Sequence, residues 1–466
     1  MALDIVIMAA GKGTRMKSAL PKVLHKLAGR SLLHHVLQTA AQLGADRIVT
    51  ITGHGAEAVE ASVRATGVSC VRQVPQQGTG HAVRQAVPML HDAGTTLILN
   101  GDVPLIEAAT ARALVAACDG AKLALLTIRL ADPSGYGRVL RGDAAGRDAR
   151  EGGRVHGIVE DRDATAAQRD IDEVYTGMMA APTAQLKRWL AALSNDNAQG
   201  EYYLTDVVAM AAADGVPVVV VPARDETEVL GVNSPAQLAD LERRFQRAQA
   251  AALMDAGVRL ADPARLDVRG ELVCGQDVEI DVNCVFEGSV SLGDGVRIGA
   301  HCVIKSARIA DQAVILPFTH IDGEALGVTI GAQSLVGPFA RLRPGAALAE
   351  EVHIGNFVEV KNSTLGKGAK ANHLAYLGDA TVGERVNFGA GSIIANYDGA
   401  HKHRTVIGAD VHVGSNCVLV APVRIGDGAT VGAGSTISKD TPAGQLTLAR
   451  GRQVSVATWK RPVKAK

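Results

Sequence analysis

Aromatic side chains are scarce in this chain. Two Trp, six Tyr and six Phe make 3% of 466 residues, whereas glycine reaches 51. That balance excludes a core built mainly on large rings and suits a solenoid packed by small aliphatics. Neither sign of charge is in excess, since 48 Lys and Arg face 48 Asp and Glu, so no overall field gathers nucleic acid or an anionic membrane. The basic run from Trp459 to Lys466 is a tail, too short to form a groove. The cysteines (Cys70, Cys118, Cys274, Cys284, Cys302, Cys417) are scattered without a CxxC pair, which argues against a disulfide frame or zinc site and for reduced thiols in the cytoplasm. No signal-peptide pattern and no apolar span of ~18 residues occurs, so neither membrane insertion nor nucleic-acid binding is expected. The one apolar run of note, Val216 to Val221 before Pro222, reads as a buried strand.

What is present is periodic. An aliphatic residue recurs at every sixth position in Ile330, Val336, Leu342, Leu348, Ile354 and Val360, and again in Ile407, Val413, Leu419, Ile425, Val431 and Ile437. Between these runs the spacing continues one residue out of step (Leu365, Ala371, Leu377; Val382, Phe388, Ile394), and it is already present at Leu292, Ile298 and Ile304. A period of six fits neither a helix nor a simple strand; it is the hexapeptide period of a parallel β-helix. The evenly spaced strands of a β-sandwich would not keep that phase over several turns. Each anchor is expected on the solenoid axis. The glycine that often follows it (Gly331, Gly337, Gly355, Gly408, Gly414, Gly426, Gly432) is expected to turn a corner where a Cβ would clash.

The chain is longer than the ~250–300 residues at which one core stops growing, so more than one domain is expected. Ahead of the repeats, strand and helix patterns alternate. Asp4–Ala10 is a short apolar run ending in Gly11-Lys12-Gly13-Thr14-Arg15, and Leu32, Leu33, Val36, Leu37, Ala40 and Leu43 follow at helical spacing up to Gly44. Further strands are expected at Arg47–Thr52, Val68–Gln73, Thr95–Asn100, Leu123–Leu130 and Pro217–Val221. This alternation predicts a doubly wound α/β layer whose ligands bind beyond the carboxyl ends of the strands. The polar, glycine-rich stretch Arg141–Arg154 reads as an exposed excursion. Ser234 is a helix N-cap with Pro235 at the first helical position, and Leu238, Leu241 and Phe245 continue at helical spacing towards Gly257. The expected domains are therefore 1–233, a connecting helix over 234–257, and 258–466.

The glycine loop carries chemistry when read with its neighbours. Glycines let backbone N–H groups approach phosphate, and Arg15 and Lys22 bring two positive charges to the same oxygens. The string Gly11-Lys12-Gly13-Thr14-Arg15-Met16 with Pro21-Lys22 resembles the signature loop of sugar nucleotidyltransferases. The segment from Gln73 to Ala82 resembles the uracil-reading segment of the uridylyltransferases among them. The resemblance implies that UTP is held by Ala9, Ala10, Gly11, Arg15, Lys22, Gln73, Gln76, Gly78 and Thr79. It also implies a Mg2+ site at Asp102, just past a buried strand, completed by Asn233, and a sugar site at Gly137 and Glu160. One departure stands out: the family usually has Asn before Thr-Gly, and this chain has Tyr175 before Thr176-Gly177.

A second set of polar residues falls off the anchor phase. Arg343 and Lys361 lie one residue after an anchor, His373 and Asn396 two after, Tyr376 and Asn387 one before, so all six are expected on the outside of the solenoid. The string from Lys370 to Asp379 and the loop Asn396-Tyr397-Asp398-Gly399 resemble the acetyltransferase half of the bifunctional N-acetylglucosamine-1-phosphate uridyltransferase/glucosamine-1-phosphate acetyltransferase family, and with the N-terminal strings the resemblance spans nearly the whole chain. It implies a left-handed β-helix with His373 as general base and Arg343 and Lys361 on the sugar phosphate. Tyr376, Asn387, Asn396 and Tyr397 would orient sugar and thioester, the last two from the acetyl-CoA side; Ala390, Ser415, Ala433 and Arg450 would line the coenzyme path. A homotrimer is also implied, since one convex solenoid face offers no deep pocket. A sugar-nucleotide pyrophosphorylase with a purely oligomerising solenoid is the alternative reading.

Overall fold

A computed structural model of the chain describes residues 2–142, 153–462 and 464. Most of the excursion expected over 141–154 lies outside the described residues. The chain divides into two compact units, Met1–Arg244 and Phe245–Lys466.

In the first unit the main sheet runs in the order 218–222, 123–129, 173–182, 95–100, 3–9, 47–52, 69–72, with the hairpin 137–142 and 154–159 attached to 173–182. Its neighbours pair in parallel except Glu173–Pro182, which is antiparallel to both the strands beside it. The central strand Leu3–Ala9 is apolar apart from Asp4, which pairs with His91 at 2.7 Å, because both its faces are covered: Ile5 and Ile7 enter one apolar cluster and Val6 the other. Helices Leu32–Ala41 and Ala108–Cys118 supply side chains to the first cluster, Thr79–Ala86 and Thr183–Ala192 to the second, so the sheet is doubly wound. The strand expected as buried near Val216–Val221 is Val218–Pro222, and it is only half buried, because it is an edge strand paired with Leu123–Arg129 alone. The helix announced by Ser234 is Pro235–Asp255, with the Ser234 hydroxyl accepting from Gln237 N at 3.3 Å.

The second unit is a parallel β-helix. One face is an 11-stranded ladder; the other two faces form a 16-stranded ladder whose halves are joined through the long strands Leu266–Cys274, Cys284–Leu292 and Val303–Ile309, each of which spans both. Every hexapeptide anchor from Ile330 to Val360 and from Ile407 to Ile437 lies on the axis, none more than 4% exposed. Burying each aliphatic side chain in this way contributes about 1.5–3 kcal/mol before conformational entropy is set against it.

The glycines do a different job from the one their position implies. Among those following an anchor only Gly337 has a left-handed backbone. The others are forced by proximity: a Cβ at Gly355 would sit 1.9 Å from Asn372 O, and one at Gly331 would sit 2.3 Å from Ala349 C in the next coil. The left-handed corner positions are filled instead by bulky residues, Phe318, Phe339, Phe357 and Leu374 among them. Neighbouring coils outweigh the local cost of a positive φ for these side chains, because each corner N–H is satisfied by a carbonyl of the adjacent coil, as in Phe357 N to Phe339 O and Leu374 N to Asn356 O.

Candidate active sites

At the carboxyl end of the central strands of the first unit lies a cavity of about 510 Å³, walled by the glycine loop, Arg15, Lys22, Gln73, Gln76, Gly78, Thr79, Asp102 and Asn233. Ala9 and Ala10 close its inner wall, and Lys12 and Glu201, which the motifs did not single out, line it as well. The loop can fold this tightly because Gly13 is left-handed and a Cβ there would stand 2.8 Å from Lys22 Cβ. Gln76 donates to the Ala10 carbonyl and Gln73 to Gly78 O at 2.9 Å, so both amides are fixed against backbone at the mouth. Lys22 Nζ lies 2.5 Å from Asp102 Oδ2 and 2.9 Å from Asn233 Oδ1. A cation thus already sits between two hard oxygen donors.

A smaller cavity of about 210 Å³ shares Met8, Thr79 and Asn100 with the first and adds Gly137, Glu160 and Tyr175. Glu160 Oε1 accepts from the Thr205 hydroxyl at 2.9 Å. Burial, reinforced by the nearby Asp206, Asp163 and Asp161 carboxylates, pushes its carboxyl above the usual range. Gly137 leaves room for this wall, since a Cβ on it would meet Ile158 Cγ2 at 2.8 Å.

On the β-helix, Arg343 and Lys361 converge on a cavity of about 380 Å³ together with Lys402, Asn362 and Asp379. Arg343 is held by Glu359 at 2.7 Å. The pKa of Lys361 is lowered first by the adjacent Lys402 side chain, which competes as a second donor, then by partial burial and by repulsion from Lys402 and Arg343. Lys402 could not be found by periodicity, because it lies on an insertion outside the hexapeptide phase. The ring of Tyr376 lies along the same face, where a Cβ at Gly378 would come within 2.3 Å of its hydroxyl.

His373 does not line this cavity. It is exposed at the end of the neighbouring face, across the corner formed by Leu374 and Ala375 from Tyr376, with Nδ1 3.0 Å from Asn356 Oδ1. An amide oxygen only accepts, so Nδ1 carries the proton and Nε2 is left as the basic nitrogen. Asn356 had no signal in the sequence beyond its register opposite His373. Two residues past the paired positions Ala371, Phe388, Val413 and Val431 come His373, Ala390, Ser415 and Ala433, one column down the corner. Arg450 closes it by donating to Ala433 O at 2.8 Å. Bulky corner residues stop at Leu374; below it the corner is taken by Gly391, Asn416 and Gly434, which leaves a trough beside the column. Asn387 is exposed on the same face as His373, and Tyr397 is exposed on the insertion. Asn396, expected on the outside, is buried: the insertion that follows covers it and its amide donates to Asp379 Oδ2 at 2.5 Å.

The comparisons with known proteins agree with this division. The MobA-like NTP transferase domain matches residues 5–259, and the six-repeat bacterial transferase hexapeptide matches residues 272–306 and 404–439. A bifunctional protein GlmU from Methylibium petroleiphilum is 75% identical over 466 residues, covering 99% of each chain. The chain belongs to the bifunctional GlmU family. GlmU proteins from Acidovorax sp. strain JS42 and Aromatoleum aromaticum are 66% and 57% identical, each again over 99% of its own length. Its second unit is accordingly the left-handed parallel β-helix of hexapeptide transferases.

Within this GlmU chain Tyr175 remains the departure in the first unit. Its phenol hydroxyl is sealed from solvent and has no hydrogen-bond partner among the described residues. Burial, and then Glu160, pushes the phenol well above its usual pKa. A buried donor without a partner costs about 1–3 kcal/mol. Tyr175→Phe is therefore expected to raise the unfolding free energy by an amount in that range, read from urea melts of the full chain.

Proposed function

We propose that the chain transfers an acetyl group from acetyl-CoA to glucosamine 1-phosphate on the β-helix. It then transfers UMP from UTP to the product in the first unit, giving UDP-N-acetylglucosamine and pyrophosphate. The observation that carries this reading is the pairing, in one chain, of a glycine-loop cavity holding a cation between Asp102 and Asn233 with a solenoid that bears a directed imidazole on one face and, across the corner, a cavity lined by three cations.

In the first unit a sugar 1-phosphate oxygen attacks the α-phosphorus of UTP in line and pyrophosphate leaves. Loop N–H groups, Arg15 and Lys22 hold the triphosphate, Gln73 and Gln76 face the base, and Gly137, Glu160 and Tyr175 wall the sugar. Positioning and charge neutralisation carry the rate in such a transfer. Mg2+ fits Asp102 and Asn233, which are hard oxygen donors already spaced around an ammonium, and it would neutralise the phosphates. On the β-helix the glucosamine amine attacks the thioester carbonyl, His373 Nε2 takes its proton, and coenzyme A leaves as the thiolate. Arg343, Lys361 and Lys402 take the sugar phosphate. The coenzyme follows the trough beside Ala390, Ser415, Ala433 and Arg450, with Asn387, Asn396 and Tyr397 around the acetyl end.

Neighbouring copies are proposed to complete the second site as a homotrimer. His301, Phe318, Phe339 and Phe357 stack down one exposed corner with centroids 4.8, 5.0 and 5.5 Å apart, ending above Leu374 in the coil of His373. That spacing is close to the distance between neighbouring strands, so a partner with the same coil repeat, a second copy, meets every rung. The double variant Phe339→Asp with Phe357→Asp is expected to sediment as a monomer and to lose at least about tenfold in acetyl transfer, the effect of removing a central hot spot. Uridylyl transfer should be retained. A cytoplasmic location accompanies this reading, in keeping with free thiols at all six cysteines; among the described residues no helix is long and apolar enough to cross a membrane.

A coupled assay with glucosamine 1-phosphate, acetyl-CoA, UTP and Mg2+, each omitted in turn, tests the whole reading. UDP-N-acetylglucosamine should form only when all four are present, and N-acetylglucosamine 1-phosphate should replace the first two. A uridylylated product without acetyl-CoA consumption would leave the β-helix as an oligomerising element only.

A further inference from the structure

We propose that Asp398 and His403 form a clasp that positions Lys402 over the phosphate end of the acetyl-acceptor site. The proposal rests on the reading of the Arg343 and Lys361 cavity as the sugar-phosphate site. The coils on either side cross this corner of the solenoid in one or two residues: Asp379 alone separates Tyr376–Gly378 from Ala380–Val382, and Ala421-Pro422 separates Val418–Val420 from Val423–Ile425. Between Ile393–Ala395 and Thr405–Ile407 the chain instead makes an excursion from Asn396 to Arg404. Lys402 is on its returning arm, bridged antiparallel to Tyr397.

One carboxylate organises the whole excursion. Asp398 Oδ1 accepts from Ala400 N at 2.8 Å and His401 N at 2.7 Å, and Oδ2 is 2.7 Å from His403 Nε2. His403 N in turn donates to Asn396 O at 2.8 Å. These bonds, the His401 N–H first, hold the Asp398 carboxyl far below the usual range. Lys402 is thus pinned on both sides, by the bridge to Tyr397 and by the ring of His403. An exposed pair of this kind adds little to global stability; its consequence is local. A lysine stem is flexible and its ammonium is strongly hydrated, yet here it lines one cavity with a second ammonium, Lys361, and with Arg343. Left free, the two like charges would separate into solvent. Held together, they present a preformed anion site, which a phosphate dianion relieves.

The two residues are positioning residues, acting through Lys402. The test is steady-state acetyl transfer by the full chain with glucosamine 1-phosphate varied at saturating acetyl-CoA. Asp398→Ala and Lys402→Ala are each expected to raise KM for glucosamine 1-phosphate by about tenfold with kcat little changed, the signature of lost uniform binding. The double variant should be no worse than Lys402→Ala alone, because both act through one ammonium. Asp398→Asn, which keeps the turn acceptor but loses the carboxylate charge facing His403, should fall between, and His403→Gln, which restores a donor, should stay near the parent. Unchanged uridylyl transfer and an unchanged melting curve report an intact fold. An unchanged KM in Asp398→Ala beside a raised one in Lys402→Ala, or full additivity, overturns the clasp alone. Unchanged KM in both Lys402→Ala and Arg343→Ala overturns the phosphate site, and the clasp with it.

Discussion

Asp102→Ala is expected to abolish uridylyl transfer, by ~10³-fold or more in kcat as for removal of a preorganised charge at a reacting phosphate, while acetyl transfer continues. The carboxylate holds Lys22 Nζ at 2.5 Å, and among the described residues Asn233 offers the one other hydrogen-bonding oxygen to that ammonium, at 2.9 Å. Without Asp102 one neutral donor is left to place a divalent ion, and Lys22 loses the partner that aims it at the triphosphate. The fold should survive, because the side chain is at the cavity surface and not in either apolar cluster. Asp102→Asn separates the two roles: it keeps an oxygen towards Lys22 but no charge, so the Mg2+ concentration for half-maximal rate should rise. Normal uridylyl transfer in Asp102→Ala rejects the metal assignment.

The complementary expectation is that His373→Ala loses acetyl transfer by ~10²–10⁴-fold, the usual worth of a general base, and keeps uridylyl transfer. His373 is exposed, and its recorded hydrogen bond is to Asn356 at 3.0 Å, so its removal takes away a proton acceptor and no packing. Asn356→Ala should reproduce part of the loss, because the ring then loses the acceptor that fixes Nδ1 as the protonated nitrogen. Both half-reactions should be followed in the same preparation. Parallel loss of both would report unfolding rather than a missing base.

Much of this was legible in the linear chain. Strands Arg47–Thr52 and Thr95–Asn100 have the bounds expected of them, since a mostly buried strand shows in its composition, here around Ile48–Ile51 and Leu97–Leu99. The nucleotide cavity gathers every residue that the glycine-loop and Gln73–Thr79 strings point to, because those strings close two turns at one end of the sheet. The edge strand Val218–Pro222 was less legible: four consecutive valines read as fully buried, and only strand order places them at a half-covered edge. Asn356, Lys402 and His403 carry no signal of their own, and Asp398 only its place in the Asn396–Gly399 string, because each acquires its role from a neighbour a coil or an insertion away.

By itself the sequence determined the solenoid, since aliphatic anchors at every sixth position leave no other way to bury them all, and it determined the chemistry available along each coil. Only the tertiary structure decided what stands above what. A coil fixes no vertical neighbours until the strands stack in register, and that stacking brings Asn356, His373, Ala390, Ser415 and Ala433 into one column. The same stacking denies a Cβ to the glycines beside the anchors and holds phenylalanines at the left-handed corners, because contacts between coils outweigh the preferences of any one residue.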